Sequence, residues 1–273
     1  MPTLALVLVL ASAVVHAGWN AVLKRQPDPE AAAVLLVGLA AGMSAILGAV
    51  TGELLPPAAA WGWIVASGAI EAVYFVALAR ALARLPLGTA YGLSRGGGQL
   101  VTWPVALALG ETASPVALVG AGILAGGLVA RVRLPADGRG LVWAVVCAAA
   151  IGAYPLTYKQ ALSAGAPAFG LFALSLGAAL PLQLLALGGT ARLREAGRGR
   201  ATLLVGTAAL CAASFLAYLG ALSLAGAGRT SALRNLSIVF ATALGVAQGE
   251  RLDRRTALGA AMITVGAIAV GWG

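Results

Sequence analysis

The sequence repeats itself at a constant offset of 139 residues. Identical residues recur at this offset in four places: Arg95 and Arg234, Gly110-Glu111 and Gly249-Glu250, Gly120 and Gly259, and Gly127 and Gly266. Each copy contains about five apolar stretches long enough to cross a bilayer. An odd number of crossings turns the second copy upside down relative to the first. We therefore expect two inverted halves, residues 1–132 and 138–273.

The composition fits a bilayer better than water. Apolar residues make up 60% of the chain and charged residues 10%, whereas a soluble domain carries about 25% charged residues. Its 273 residues accommodate about ten spans of roughly 20 residues. The predicted fold is an all-α polytopic membrane protein, with ten transmembrane helices forming two inverted five-helix repeats around a central cavity.

The ten predicted spans determine an orientation. They cover residues 3–23, 31–50, 61–79, 87–109, 114–130, 140–162, 167–188, 201–224, 230–248 and 256–272, with the seam between the halves at residues 131–139. The loops after predicted spans 1, 3, 5, 7 and 9 hold nearly all the Lys and Arg residues outside the spans. The loops on the opposite face hold essentially Arg229 alone. The positive-inside bias then puts both termini outside the cytoplasm. These loops also account for the net charge of +9 without a nucleic-acid partner.

Five ionisable residues lie inside apolar runs: His16, Glu71, Arg95, Lys159 and Arg234. A charged side chain at the middle of a bilayer costs roughly 2.5–3.5 kcal/mol on insertion scales. These groups should therefore face a polar cavity or one another. The alternative for each is a position near a helix end, from which the side chain reaches the membrane interface.

Arg95 lies in an unusual segment that runs from Tyr91 to Gln99 and includes three consecutive glycines. The glycines either open the helix locally at a binding site or allow tight helix packing. The equivalent arginine of the second half is followed by Asn235. The fixed fork of a guanidinium suits a carboxylate or phosphate, so the two arginines predict an anionic or zwitterionic ligand. One of them could instead neutralise Glu71.

Polar and aromatic residues recur with helical spacing in two other spans. His16 and Asn20 are one turn apart, with Trp19 beside them, and Tyr154 and Tyr158 have the same spacing. The two pairs overlay approximately at an offset of 138. We interpret both faces as candidate cavity linings, with ordinary helix packing as the alternative.

Glu71 is the one carboxylate inside a predicted span, and Tyr74 lies near its helical face. A carboxylate withdrawn from water can bind and release protons near neutral pH. Glu71 is thus a candidate for proton coupling, or for a static ion pair with Arg95, Arg234 or Lys159. Cys147 and Cys211 are isolated in apolar runs and predict neither a disulfide nor a metal site. No cofactor is expected.

Several stretches together resemble the drug/metabolite transporter superfamily, and more specifically its ten-span EamA-like branch. They are His16-Ala17-Gly18-Trp19-Asn20 with Lys24, residues 93–96, Ala232-Leu233-Arg234 with Phe240-Ala241, and the paired Gly-Glu motifs. The resemblance implies two inverted five-helix repeats that move small metabolites without ATP hydrolysis. Two residues depart from the pattern, because relatives often carry glutamate where this chain has Asn235, and a neutral residue or histidine near Glu71.

The sequence therefore predicts a secondary transporter of the cytoplasmic membrane, working by alternating access. We expect it to export a small polar or amphipathic metabolite such as an amino acid, as a monomer or homodimer in the lipid bilayer. Two alternatives are an intramembrane enzyme acting on a lipid-linked substrate and a non-transporting assembly subunit. The sequence offers no catalytic motif for the enzyme.

Overall fold

The computed structural model describes residues 1–131 and 138–272, and within them the chain is helical without any β-strand. Its helices are α1 (Thr3–Lys24), α2 (Pro29–Thr51), α3 (Trp61–Arg84), α4 (Leu87–Tyr91), α5 (Gly97–Ala108), α6 (Pro115–Arg131), α7 (Gly138–Ser163), α8 (Ala168–Leu187), α9 (Ala191–Gly197), α10 (Ala201–Leu224), α11 (Ala227–Arg234), α12 (Ser237–Ala247) and α13 (Arg254–Trp272). A π-helical turn, Gly92–Gly96, joins α4 to α5.

The limits of α2 follow directly from its sequence. Pro29 occupies the first turn, where a backbone N–H has no partner within the helix. The Asp28 carboxylate accepts the Ala31 N–H at 3.1 Å and so caps the helix. The helix stops at Gly52, whose φ of +75° suits a residue without Cβ.

Seven helical segments of the described chain are long and apolar enough to cross a membrane. They are Thr3–Lys24, Pro29–Thr51, Ala58–Arg84, Gly138–Ser163, Ala168–Leu187, Ala201–Leu224 and Ala227–Ala247. The other three predicted spans fall on α4–α5, which the π turn interrupts, on the shorter α6, and on α13, which begins with two arginines. Length and hydropathy therefore support seven of the ten expected spans, and the other three remain predictions. Residues 132–137 of the predicted seam, with the predicted domain ends at residues 132 and 273, lie outside the described residues.

Helices from the two halves of the sequence pack against each other in pairs. α1 packs on α10, α3 on α7, α2 on α8, and α6 on α13. Glycines bring α6 and α13 into backbone contact. A Cβ added at Gly120 would lie 2.9 Å from the Gly266 carbonyl oxygen, and one added at Gly127 would lie 2.9 Å from the Gly259 carbonyl oxygen. Gly120 thus packs against Gly266, the repeat counterpart of Gly127. In the same way, Gly127 packs against Gly259, the repeat counterpart of Gly120.

Candidate functional site

Most of the residues singled out in the sequence lie in one buried region where α1, α3, α7, α10, α11 and the π turn meet. Each of the following is at most 4% exposed: His16, Trp19, Asn20, Glu71, Tyr74, Tyr91, Arg95, Gln99, Tyr154, Tyr158, Arg234 and Asn235. The region is therefore closed to solvent in this conformation. Its side chains pack against one another instead of lining an open central cavity.

His16 lies between the two repeated arginines. Nη2 of Arg95 is 2.5 Å from Nε2 of the imidazole, and Nη2 of Arg234 is 2.9 Å from Nδ1. The indole N–H of Trp19 also points at Nδ1, at 3.2 Å. A neutral imidazole has one acceptor nitrogen and one N–H. His16 can therefore accept a hydrogen bond from only one of the two guanidinium groups.

Both guanidinium groups are buried without an ion pair. No carboxylate of the described residues lies within 4.0 Å of Arg95 or Arg234. Several buried polar atoms in the same region also lack a hydrogen-bond partner in the described chain: Nε of both arginines, Asn20 Oδ1, Tyr91 OH, Gln99 Oε1 and Asn235 Nδ2. Because buried charges are normally paired, two buried guanidinium groups without a carboxylate partner in the described chain make this region a candidate site for an anionic group.

Arg234 is held more firmly than Arg95. It donates to Tyr154 Oη at 2.7 Å and to Ser214 Oγ at 3.3 Å. Its guanidinium also lies 4.7 Å from the ring centre of Phe215 and 4.1 Å from that of Tyr218, both within cation–π range. Besides His16, Arg95 has one aromatic neighbour among the described residues, since its guanidinium lies 5.8 Å from the ring centre of Tyr91.

Glu71 adjoins this cluster through tyrosines. Tyr158 donates its hydroxyl hydrogen bond to Glu71 and also lies 3.2 Å from Ser175 Oγ. The second carboxylate oxygen of Glu71 has no partner in the described chain. The ring of Tyr154 lies 5.5 Å from that of Tyr158 and 5.8 Å from that of Tyr74. Glu71 therefore does not form the expected ion pair with an arginine or lysine of the described residues, since none of them lies within 4.0 Å of its carboxylate.

Lys159 has a structural contact instead of the expected ion pair. Its ammonium donates to the carbonyl oxygens of Leu222 and Ala225 at 2.9 and 3.1 Å, at the carboxyl end of α10. Lys24 makes the same contact with the end of α3, donating to Leu82 and Leu85 at 3.0 and 2.8 Å. Free carbonyls at a helix end attract cations, so both lysines act as helix caps.

The repeated glutamates cap helix starts in the opposite half of the chain. Glu250 accepts the backbone N–H groups of Leu87 and Gly88 at 2.5 and 3.2 Å, where α4 begins. Glu111 accepts the N–H of Gly228 at 3.1 and 3.2 Å, where α11 begins. Each half therefore fixes the first turn of the helix that carries the other half's arginine.

Both arginines lie at irregularities in their helices. Arg95 is in the π turn, which continues the helix instead of opening it, and Arg234 is the last residue of α11. The glycines beside Arg95 serve close packing, because a Cβ at Gly96 would lie 2.6 Å from Leu128 and one at Gly98 would lie 2.6 Å from Ile151. Short π-helical turns are frequent at functional sites.

Three residues of α10 belong to the site although the sequence reading passed over them: Ser214, Phe215 and Tyr218. Ser214 also lies 3.1 Å from His16 Nδ1, and Tyr218 lies 2.7 Å from Ser231. The signal was available, since Ser214 and Tyr218 are hydroxyl residues one helical turn apart inside an apolar span.

The fold and the site define a multi-pass membrane protein with a closed, cationic centre. Residues 138–272, the second half of the chain, match the model of the EamA-like transporter family, which confirms the resemblance seen in the sequence. This match indicates a membrane transporter of the drug/metabolite type. One crystal structure of a protein that is 20% identical aligns with a TM-score of 0.71, covering 98% of this chain and 96% of that one. That likeness concerns the fold alone. A search of curated proteins found no match.

Proposed function

We propose that the chain is a secondary transporter that exports a small metabolite bearing a carboxylate or phosphate, such as an amino acid, across the cytoplasmic membrane. One observation carries the proposal: Arg95 and Arg234 reach opposite nitrogens of the single His16 imidazole. The anionic group would lie between the guanidinium groups and replace the contact that the imidazole cannot satisfy. Guanidinium forks bind carboxylates and phosphates with two hydrogen bonds.

Alternating access would follow from an inverted repeat of ten spans, with α4–α5 and α11–α12 each crossing as one interrupted helix and α6 and α13 as the remaining pair. Reciprocal contacts support this arrangement. The glutamates at the 139-residue offset cap α4 and α11, and Lys24 and Lys159 cap α3 and α10. Two equivalent sets of contacts allow two conformations of similar energy. The loop charges would place both termini outside the cytoplasm.

Glu71 is proposed as the proton-coupling group. It is fully buried, and Tyr158 and Tyr154 link it to Arg234 by a short series of contacts. Arriving cargo that engages Arg234 would change the charge felt by the carboxylate, so cargo and proton would influence each other. Glu71→Gln is expected to leave cargo exchange intact and to remove the acceleration of net flux by a pH gradient.

Flux through purified protein in liposomes tests the proposal. Vesicles would be loaded in turn with radiolabelled amino acids, organic acids and sugar phosphates, and counterflow would be measured. Arg95→Gln and Arg234→Gln are expected to abolish counterflow of the active compound. Arg25→Gln removes one charge from an exposed loop position and is the matched control. Flux that persists at wild-type rates in both site variants would contradict the proposal.

A further inference from the structure

We propose that the chain holds a phospholipid at a site between α12, α13 and the connection from α3 to α4. Arg251 and Arg255 bind its anionic headgroup, and a groove between α12 and α13 takes an acyl chain. The proposal does not depend on the transported cargo. Its basis is the continuity of a cavity that carries charged residues with an apolar groove.

The headgroup cavity has a volume of about 260 Å³ and is lined by charged, polar and apolar residues from both halves of the chain. Arg251 and Arg255 lie exposed at its edge. Its two carboxylates already have backbone partners. Glu250 accepts from the first N–H groups of α4, and Asp253 accepts the Thr256 N–H at 2.7 Å. No ion pair within 4.0 Å joins Arg251 or Arg255 to a carboxylate of the described residues. Their guanidinium forks are well suited to a phosphate.

The groove has a volume of about 460 Å³ and an almost wholly apolar lining. The small residues Ala243, Ala257 and Ala261 leave the space, and branched residues such as Val239 and Val265 border it. On α12 the lining runs from Val239 to Val246, which is about 10 Å along the helix axis. An extended hydrocarbon chain fits a groove of this shape.

The two cavities share three lining residues, Thr242, Val246 and Leu252. A ligand that fills both must join a charged end to a hydrocarbon chain, which is the chemistry of a phospholipid. The loop before α13 belongs to the strongly basic set of loops, and the positive-inside bias assigns that set to the cytoplasmic face. Anionic lipids are enriched in that leaflet.

A headgroup in this cavity would touch both halves of the chain. Gly88 and Thr89 at the start of α4 line the same cavity as Arg251 and Arg255. The lipid would thus reinforce the contact by which Glu250 caps α4 and would stabilise the conformation described here. A ligand that binds only the folded protein raises its melting temperature by mass action.

Native mass spectrometry of the delipidated full chain, with phosphatidylglycerol as the probe, tests the site. The expected result is one retained lipid per chain, together with a raised melting temperature. Soluble glycerol phosphate and neutral diacylglycerol should each give neither effect, because each fills one cavity only. Stabilisation by glycerol phosphate alone would reduce the site to a phosphate pocket and overturn the proposal. Higher salt should weaken phosphatidylglycerol binding to the wild type, and insensitivity to salt would also count against it.

Variants separate the two parts of the site. The double variant Arg251→Gln/Arg255→Gln should weaken binding roughly 30-fold, whereas Arg254→Gln, beside Arg255 at the start of α13 but outside both cavities, should not. Ala261→Phe fills the groove and should prevent retention, while Leu258→Phe places the same side chain at an exposed position of α13 outside the groove. Wild-type binding by both site variants would overturn the proposal. The proposal would also be overturned if Ala261→Phe converted a dimer to a monomer while the lipid stayed bound. That result would mean that a second copy of the chain, not an acyl chain, occupies the groove.

Discussion

Replacing Arg95 by glutamine is expected to stabilise the protein in the absence of cargo. One imidazole ring separates the guanidinium groups of Arg95 and Arg234, and no carboxylate of the described chain pairs with either. At about 8 Å and an effective dielectric constant near 20, two unit charges repel by about 2 kcal/mol. Arg95→Gln removes this repulsion and loses little in return, since within the described residues Arg95 has one hydrogen-bond contact and a distant aromatic neighbour.

Thermal unfolding of purified protein in detergent measures the effect. A gain of about 2 kcal/mol corresponds to a rise in melting temperature of roughly 4–8 °C for a protein of this size. Arg25→Gln removes an exposed charge and should change stability by less than about 0.5 kcal/mol. A fall in melting temperature for Arg95→Gln without cargo would refute the reasoning, because Arg95 would then be a structural residue whose partner is already present.

Three further predictions concern the packing and the caps. Glu111→Gln and Glu250→Gln should each lower the free energy of unfolding by about 1–2 kcal/mol, and the two losses should add in the double variant. Unequal losses, measured by thermal unfolding, would argue against equivalent roles of the two glutamates in an inverted repeat. Gly127→Ala should destabilise the protein by about 1–3 kcal/mol, because its Cβ would lie 2.8 Å from the Ile263 nitrogen, whereas Gly122→Ala meets nothing within 4 Å and should not lower the melting temperature. Burial raises the pKa of Asp28, but hydrogen bonds from Arg192 and from the start of α2 outweigh it and hold that pKa below its ordinary value. Asp28→Asn keeps the cap and should lower the free energy of unfolding by about 1 kcal/mol at neutral pH. Melting curves should show this difference from the wild type shrinking below about pH 4, because the wild-type carboxylate then becomes protonated.

The cost of burying charge made the centre of the site predictable from the sequence. Placing ionisable side chains in the bilayer costs free energy unless they contact one another or another polar group. The structure brings His16, Arg95 and Arg234 into direct contact. The same argument predicted an ion pair for Lys159. Its ammonium instead donates to backbone carbonyl oxygens at a helix end. Hydroxyl residues such as Ser214 cost much less to bury and therefore gave a weaker signal.

Long-range pairing and local backbone geometry could not be derived in the same way. Nothing in the local pattern says that α1 packs on α10, which is what brings Tyr218 and Phe215 to Arg234. The glycines near Arg95 suggested an opened helix, yet a π turn keeps the helix continuous while the glycines admit neighbouring side chains. The helix break after Arg234 could not be predicted in this way, because no glycine or proline lies there.

The most direct test of the central claim is ligand-dependent thermal stabilisation of wild type, Arg95→Gln and Arg234→Gln across amino acids, organic acids, sugar phosphates and cationic drugs. Ligand binding to the folded state raises the melting temperature. The account predicts a stabilising compound that carries a carboxylate or phosphate and whose effect disappears in both variants. Stabilisation confined to cationic or neutral amphiphiles, and equal in all three proteins, would contradict it.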